Sequence, residues 1–192
     1  MNGKLHQKTL LRRFPISFSG LIFESAFLFF IGILPIVFHF RSRYNLGIPG
    51  HHGMEFMAMI MIGRTVTRSR WASVMMTLGI LTALFIPFLG IKNPVTAIVF
   101  IVPPFIVDLF YNYARNWKNK ILLLALTGGI AYTALPIYKT ILYLTTGFPY
   151  KPILLNPFYP FISHFVFGFA GALLGASIVL TIKKNRRLRK LT

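Results

Sequence analysis

Residues 17–40, SFSGLIFESAFLFFIGILPIVFHF, form an apolar run broken by a single carboxylate, Glu24. About 20 apolar residues are what an α-helix needs to cross the hydrocarbon of a bilayer. Lipid offers no partners to the backbone, so every N–H and C=O must be satisfied within the segment or in a closed barrel. A run of this length without period-two alternation therefore folds as a helix. Similar runs recur along the chain, and only 12% of its residues are charged, against about 25% in a typical soluble domain. The expected fold is all-α: a polytopic membrane protein, a six-helix transmembrane bundle formed by residues 1–192 as a single transmembrane domain.

The six spans are expected at roughly 17–40, 52–63, 71–91, 94–111, 121–146 and 160–182. The second is short, consistent with a re-entrant or partly unwound start. Lys92-Asn93-Pro94 reads as a tight turn between the third and fourth, and Pro103-Pro104 is expected to interrupt or kink the fourth. The first run lacks a small-residue cleavage site and reaches spanning length, so it reads as a span and not as a cleaved signal.

A net charge of +18 in a soluble protein would point to nucleic acid. Here the basic residues lie between and beyond the apolar runs, so no nucleic-acid partner is expected. Lys4, Lys8, Arg12 and Arg13 precede the first span, and Arg64, Arg68 and Arg70 follow the second. Arg115, Lys118 and Lys120 follow the fourth, and six more lie in KKNRRLRK after the sixth. The alternate connections carry Arg41, Arg43, Lys92 and Lys151, with Lys139 inside the fifth span. Sixteen basic residues against five place both termini in the cytoplasm by the positive-inside rule, with the protein in a prokaryotic cytoplasmic membrane. The tail reads as a topology determinant attracted to anionic membrane lipid.

This orientation gathers His39, His51, His52, Glu55, Lys139 and His164 near the outer face. Ionisable groups inside spans are costly and usually face a bundle interior or a wet cavity. His51, His52, Glu55, Lys139 and His164 are therefore the expected substrate-binding residues. His51 and Glu55 share a helical face if the span begins before them. His51, His52, Glu55 and His164 also have the ligand types for a transition-metal ion, zinc, nickel or cobalt. The spacing is not HExxH, and adjacent histidines diverge on a helix. Plainer readings pair Glu55 with Arg41 or Lys139 and leave His39 as an interfacial residue. Glu24 is expected to pair with Arg64 or Arg70 or to meet a partner protein, and Asp108 to form a salt bridge near Tyr111 and Arg115.

GFAGALLGAS in the sixth span places Gly168, Ala172 and Ala176 at four-residue intervals, offset by one from Gly171 and Gly175. Such stripes admit close helix approach, within the chain or to a partner. Gly128, Gly129 and Pro136 are expected to loosen the fifth span near Lys139. The loop GFPYKPILLNPFYP reads as a stiff cap, given its prolines and aromatics.

GRTVTRSRWASVMMTLGILTALFIP resembles the glycine-arginine loop and small-residue third span of the biotin-type branch of substrate-binding (S) components in energy-coupling-factor transporters. KNPVTAIVFIVPPFIVDLF is similar to the short hairpin return that follows, and HFVFGFAGALLGASIVLTIKK to the glycine-rich close. The resemblance covers most of the chain. It implies six spans and capture of a vitamin or metal at the outer face. It also implies two kinds of partner, a transmembrane coupling subunit and cytoplasmic ATPases. The alanine-xxx-alanine stripe common on the family's first span is absent, with Ser19, Gly20, Ser25 and Ala26 in that region.

No GxxxxGK[ST] motif is present, so nucleotide hydrolysis has to come from another chain. The leading function is thus a substrate-binding subunit or small transporter without catalysis of its own. The alternative is a membrane enzyme acting on a lipid or lipid-linked substrate. There His51, His52 and Glu55 would supply acid/base groups or hold a metal, and Lys139 or Arg43 a phosphate. GxSxG and HExxH motifs are absent, and three carboxylates supply magnesium chemistry poorly. A third possibility is an accessory protein that docks a partner through the sixth span.

Overall fold

The computed structural model describes residues 18–41, 47–67, 69–89, 94–114 and 120–189. Their regular secondary structure is helical throughout: α1 (Phe18–Arg41), α2 (Gly53–Val66), α3 (Ala72–Leu84), α4 (Pro94–Ala97), α5 (Val102–Ala114), α6 (Lys120–Thr146), α7 (Lys151–Leu155) and α8 (Tyr159–Leu188). Short 3-10 turns at Pro87–Leu89 and Ile98–Ile101 join the set. Three stretches are long and apolar enough to cross a membrane: Gly20–Arg41, Lys120–Thr146 and Tyr159–Asn185. With 14 and 13 residues, α2 and α3 are about 20 Å long at 1.5 Å per residue, shorter than the hydrocarbon core.

The expected fourth span is not one helix. It divides into α4, the Ile98–Ile101 turn and α5. Pro103 and Pro104 fall in the first turn of α5, where a missing N–H removes no intrahelical bond. The expected interruption thus falls just before them, and they start a helix instead of kinking one. The Lys92-Asn93 part of the expected turn lies outside the described residues.

The broadest contacts are α6 with α8, α2 with α8, and α1 with α3. Helix α2 sits among α1, α3, α5, α6 and α8, and Phe56, Met57, Ile60 and Met61 on it are fully buried. In a membrane such contacts are held by close packing, since lipid tails are as apolar as the side chains. Small residues make the closeness possible. A Cβ on Gly128 of α6 would collide with Ala172, and one on Gly168 with Tyr132, so these glycines bring α6 and α8 together. On the neighbouring face of α8, a Cβ on Gly171 or Gly175 would strike the α2 backbone at Met54 and Ala58. The α8 stripes are thus consumed within the chain. Helix α6 runs unbroken through Gly128, Gly129 and Pro136; the expected loosening near Lys139 does not occur, because the glycines serve packing.

The outward surfaces of the long helices are apolar. Phe23, Phe27, Phe30, Leu34 and Phe38 form an exposed stripe on α1, and Ile162, Val166, Leu174, Ile178 and Ile182 form one on α8. Spacings of three and four put the α1 set on one helical face. These stripes suit contact with lipid.

Polar groups collect at the two ends of the bundle. At one end Arg64 of α2 is ion-paired with Asp108 of α5 and lies 4.3 Å from the centroid of the Tyr111 ring. Ser73 of α3 donates to the same carboxylate at 2.9 Å. Thr67 donates to Glu24, and Lys183 of α8 to the carbonyl of Thr65. The expected pairing of Glu24 with Arg64 or Arg70 is replaced by Glu24 with Thr67, because Asp108 occupies Arg64. At the other end lie the histidines.

Candidate functional site

The histidine end encloses a cavity of about 420 Å³. Its lining comes from His39 of α1, the turn from Gly47 to His52, Phe100, then Tyr132, Leu135 and Lys139 of α6, Tyr150 and Pro152 around the start of α7, and His164 of α8. A volume of this order suits a small organic molecule, for which pockets usually measure about 300–1,000 Å³.

The turn over the cavity depends on two glycines in the left-handed region, Gly47 (φ 66°) and Gly50 (φ 81°). A Cβ on Gly50 would come within 2.7 Å of His164 Nδ1, so the turn lies directly against α8. Helix α2 starts only at Gly53. His51 and His52 therefore precede it, and the expected i, i+4 face shared by His51 and Glu55 does not form. Released from helical geometry, the adjacent rings approach to 3.9 Å between centroids instead of diverging.

His39 is part of this cluster and not merely an interfacial residue. Its ring stands edge-on to His52 at 4.9 Å and to Phe100 at 4.8 Å. His164 is 4% exposed, stacks on Tyr132 at 5.2 Å, and its Nδ1 lies 2.6 Å from the carbonyl of Pro160. His51 Nδ1 stands 2.8 Å from the carbonyl of Ile48. A carbonyl only accepts, so both rings carry a proton on Nδ1.

Three buried polar atoms of lining residues have no hydrogen-bond partner among the described residues: His39 Nδ1, His52 Nδ1 and the Tyr150 hydroxyl. Unsatisfied buried polar atoms are uncommon in folded proteins and mark places where something else is bound or stored. Burial pushes the Tyr150 phenol up to about 12, so it keeps its proton and can donate at neutral pH. Lys139 Nζ lies 6.0 Å from the Tyr150 ring centroid, the outer limit for a cation–π contact. Among the described residues no carboxylate pairs with Lys139, and the lining contains no Asp or Glu.

Of the five expected substrate-binding residues, His51, His52, Lys139 and His164 line one cavity. Glu55 does not. Its carboxylate stands 3.7 Å from His52 Nδ1, beyond hydrogen-bond length, and its side chain is 46% exposed. Among the described residues no group of three or more His, Asp or Glu side chains is placed to hold a metal ion. His51, His52, Glu55 and His164 are thus not drawn together as a ligand set: Glu55 turns outward and His164 is engaged with Pro160 and Tyr132.

The sequence reading missed Phe100, Tyr132 and Tyr150. Tyr132 stands seven residues before Lys139, two helical turns along the same face, which was a usable signal. Tyr150 belongs to the aromatic, proline-rich loop expected to act as a cap, and it does contribute to the wall. For Phe100, sequence offered nothing beyond an apolar run.

Neither protein-family models, nor curated proteins, nor solved structures give a match to this chain.

Proposed function

We propose that the chain is a membrane substrate-binding subunit, similar to the S components of energy-coupling-factor transporters, which takes up a vitamin-sized organic molecule through the histidine-end cavity. The observation that carries this reading is the cavity itself. Side chains from distant parts of the chain converge on it, and three of its buried polar atoms have no hydrogen-bond partner among the described residues. At the opposite end the buried charges are paired, Arg64 with Asp108.

In this reading the six apolar segments all cross the membrane, both termini are cytoplasmic and the cavity faces outward. The distribution of basic residues supports that orientation. Energy comes from a transmembrane coupling subunit and cytoplasmic ATPases, since the chain has no phosphate-binding loop of its own. Transport then requires the substrate to bind the outward and inward states with different affinity. An organic molecule is preferred to a metal ion because the lining offers stacked rings and scattered donors instead of converging ligands.

Native mass spectrometry on the full chain, gently released from its own membrane with copurifying proteins identified and metals quantified, tests the proposal. A vitamin-sized adduct, weakened in His52→Ala, together with ATPase subunits, is the expected result. Equimolar zinc, nickel or cobalt lost with the same substitution overturns the organic ligand. A lipid-linked adduct converted to product on incubation overturns the transport reading in favour of an enzyme.

A further inference from the structure

The chain has three carboxylates, and none of them neutralises Lys139. Asp108 is bound to Arg64 and Ser73, and Glu24 accepts from Thr67, both at the opposite end. Glu55 faces outward beside His52. The cavity therefore presents an amine with no counterion from its own side chains. The charged form of such an amine is costly unless it is paired.

The other polar groups around the cavity make the same demand. His39 from α1, His51 and His52 from the turn, Tyr150 before α7 and His164 from α8 face it, and none carries a negative charge at neutral pH. The Ile48 carbonyl accepts from His51, and the Pro160 carbonyl from His164. Lys139 supplies three donors, Tyr150 a hydroxyl, and a His39 tautomer an N–H. The rest of the wall is flat and apolar, with Phe100 (2% exposed), Tyr132 (1%) and Leu135 (1%).

We infer that the ligand of this cavity carries an anionic group, a carboxylate or phosphate, held by Lys139 and the Tyr150 hydroxyl, with an apolar or aromatic body against Phe100, Tyr132 and Leu135. This rests on the binding-subunit reading and specifies its substrate class. Charge-assisted hydrogen bonds from an ammonium and a hydroxyl are stronger than neutral ones. They also separate an acid from its amide or amine, since the latter would leave Lys139 unpaired. A second hollow of about 170 Å³ shares Lys139 and Tyr150 and is completed by Leu142, Phe148 and Pro149. The anion can thus belong to a soluble acid in the main cavity or to a lipid headgroup reaching the same pair.

The test is a thermal-shift titration of the full-length protein in detergent with four probes of one shape: benzoate, phenyl phosphate, benzamide and benzylammonium, at constant ionic strength. Ligands that bind only the folded state raise its melting temperature saturably. Benzoate or phenyl phosphate is expected to do so, and benzamide and benzylammonium are not. Lys139→Gln weakens the anion's affinity by about tenfold or more, the scale of one charge-assisted hydrogen bond. Lys139→Arg retains most of it, and Tyr150→Phe loses a smaller part.

Equal or better binding of benzamide or benzylammonium overturns the anion inference but keeps the cavity as a binding site. No saturable shift with any probe removes the binding site, and the proposed function with it. The titration is repeated in nanodiscs of phosphatidylcholine with and without phosphatidylglycerol. Competition by phosphatidylglycerol assigns the anion to a lipid headgroup, and indifference assigns it to a soluble acid; either supports the anionic class.

Discussion

The two ends of this bundle treat charge in opposite ways. At the arginine end Arg64 and Asp108 pair, Ser73 donates to the carboxylate, Tyr111 covers the guanidinium and Glu24 is bonded to Thr67. At the histidine end Lys139 has no carboxylate partner among the described residues, and three buried polar atoms are unpaired around a cavity of about 420 Å³. The same helices supply both ends: α6 carries Lys139, α2 carries Arg64, and α8 runs from His164 to Lys183. Helical packing alone therefore does not explain the contrast. The arginine end pairs its charged groups across helices; at the histidine end Lys139 has no carboxylate partner among the described residues.

The contrast is open to attack from each side, beginning with the paired end. Arg64→Ala leaves Asp108 without its counterion and is expected to destabilise the fold by about 3–5 kcal/mol, as loss of one partner of a buried pair does. Thermal unfolding in detergent measures this. A cost no larger than that of an exposed substitution would show that the arginine end is not the structural one. Gly171→Leu forces a side chain into the α2 backbone at Met54, and overpacking of this kind costs about 1–3 kcal/mol or more. It should also lower ligand affinity, because α2 begins beneath the cavity turn. Unchanged stability would disconnect α8 packing from the site.

The sign reverses at the histidine end. Lys139→Met removes an amine that has no carboxylate partner among the described residues, so the unliganded protein should gain stability, by about 0.5–2 kcal/mol on the scale of such function-releasing substitutions. Its affinity for an anionic probe should fall at the same time. A destabilised Lys139→Met would make the lysine a structural group and erase the contrast. The smallest effect is expected at Glu55→Ala, within about 0.5 kcal/mol in stability for an exposed side chain. Its effect on ligand affinity should be well below that of His52→Ala, measured by the same titration, since Glu55 is outside the cavity lining.

Much of the site's membership was legible because charge and apolar runs are one-dimensional properties. A buried lysine and scattered histidines stand out in apolar segments, and the alternation of spans assigns them to one end. His39, His51, His52, Lys139 and His164 were gathered correctly on that basis. Glu55 was grouped with them through an assumed helical face. That face depended on where α2 begins, and Gly53 starts it two residues after His51. The contact of Glu24 with Thr67 was equally out of reach, since the two are 43 positions apart and no local pattern points to it.

The sequence by itself determined that the chain is helical, that long segments are apolar enough to span a membrane, and that its few polar groups lie at segment ends. Backbone satisfaction in lipid and the length of an apolar run dictate these without knowledge of neighbours. Only the tertiary structure decided which polar groups pair and which surround a cavity. Helix starts set the direction of His51, His52 and Glu55. The close approach of α6, α8 and α2 at glycine brought Tyr132 against His164 and placed Lys139 at the cavity wall. Side-chain direction and interhelical distance are properties of packed pairs, so no single segment contains them.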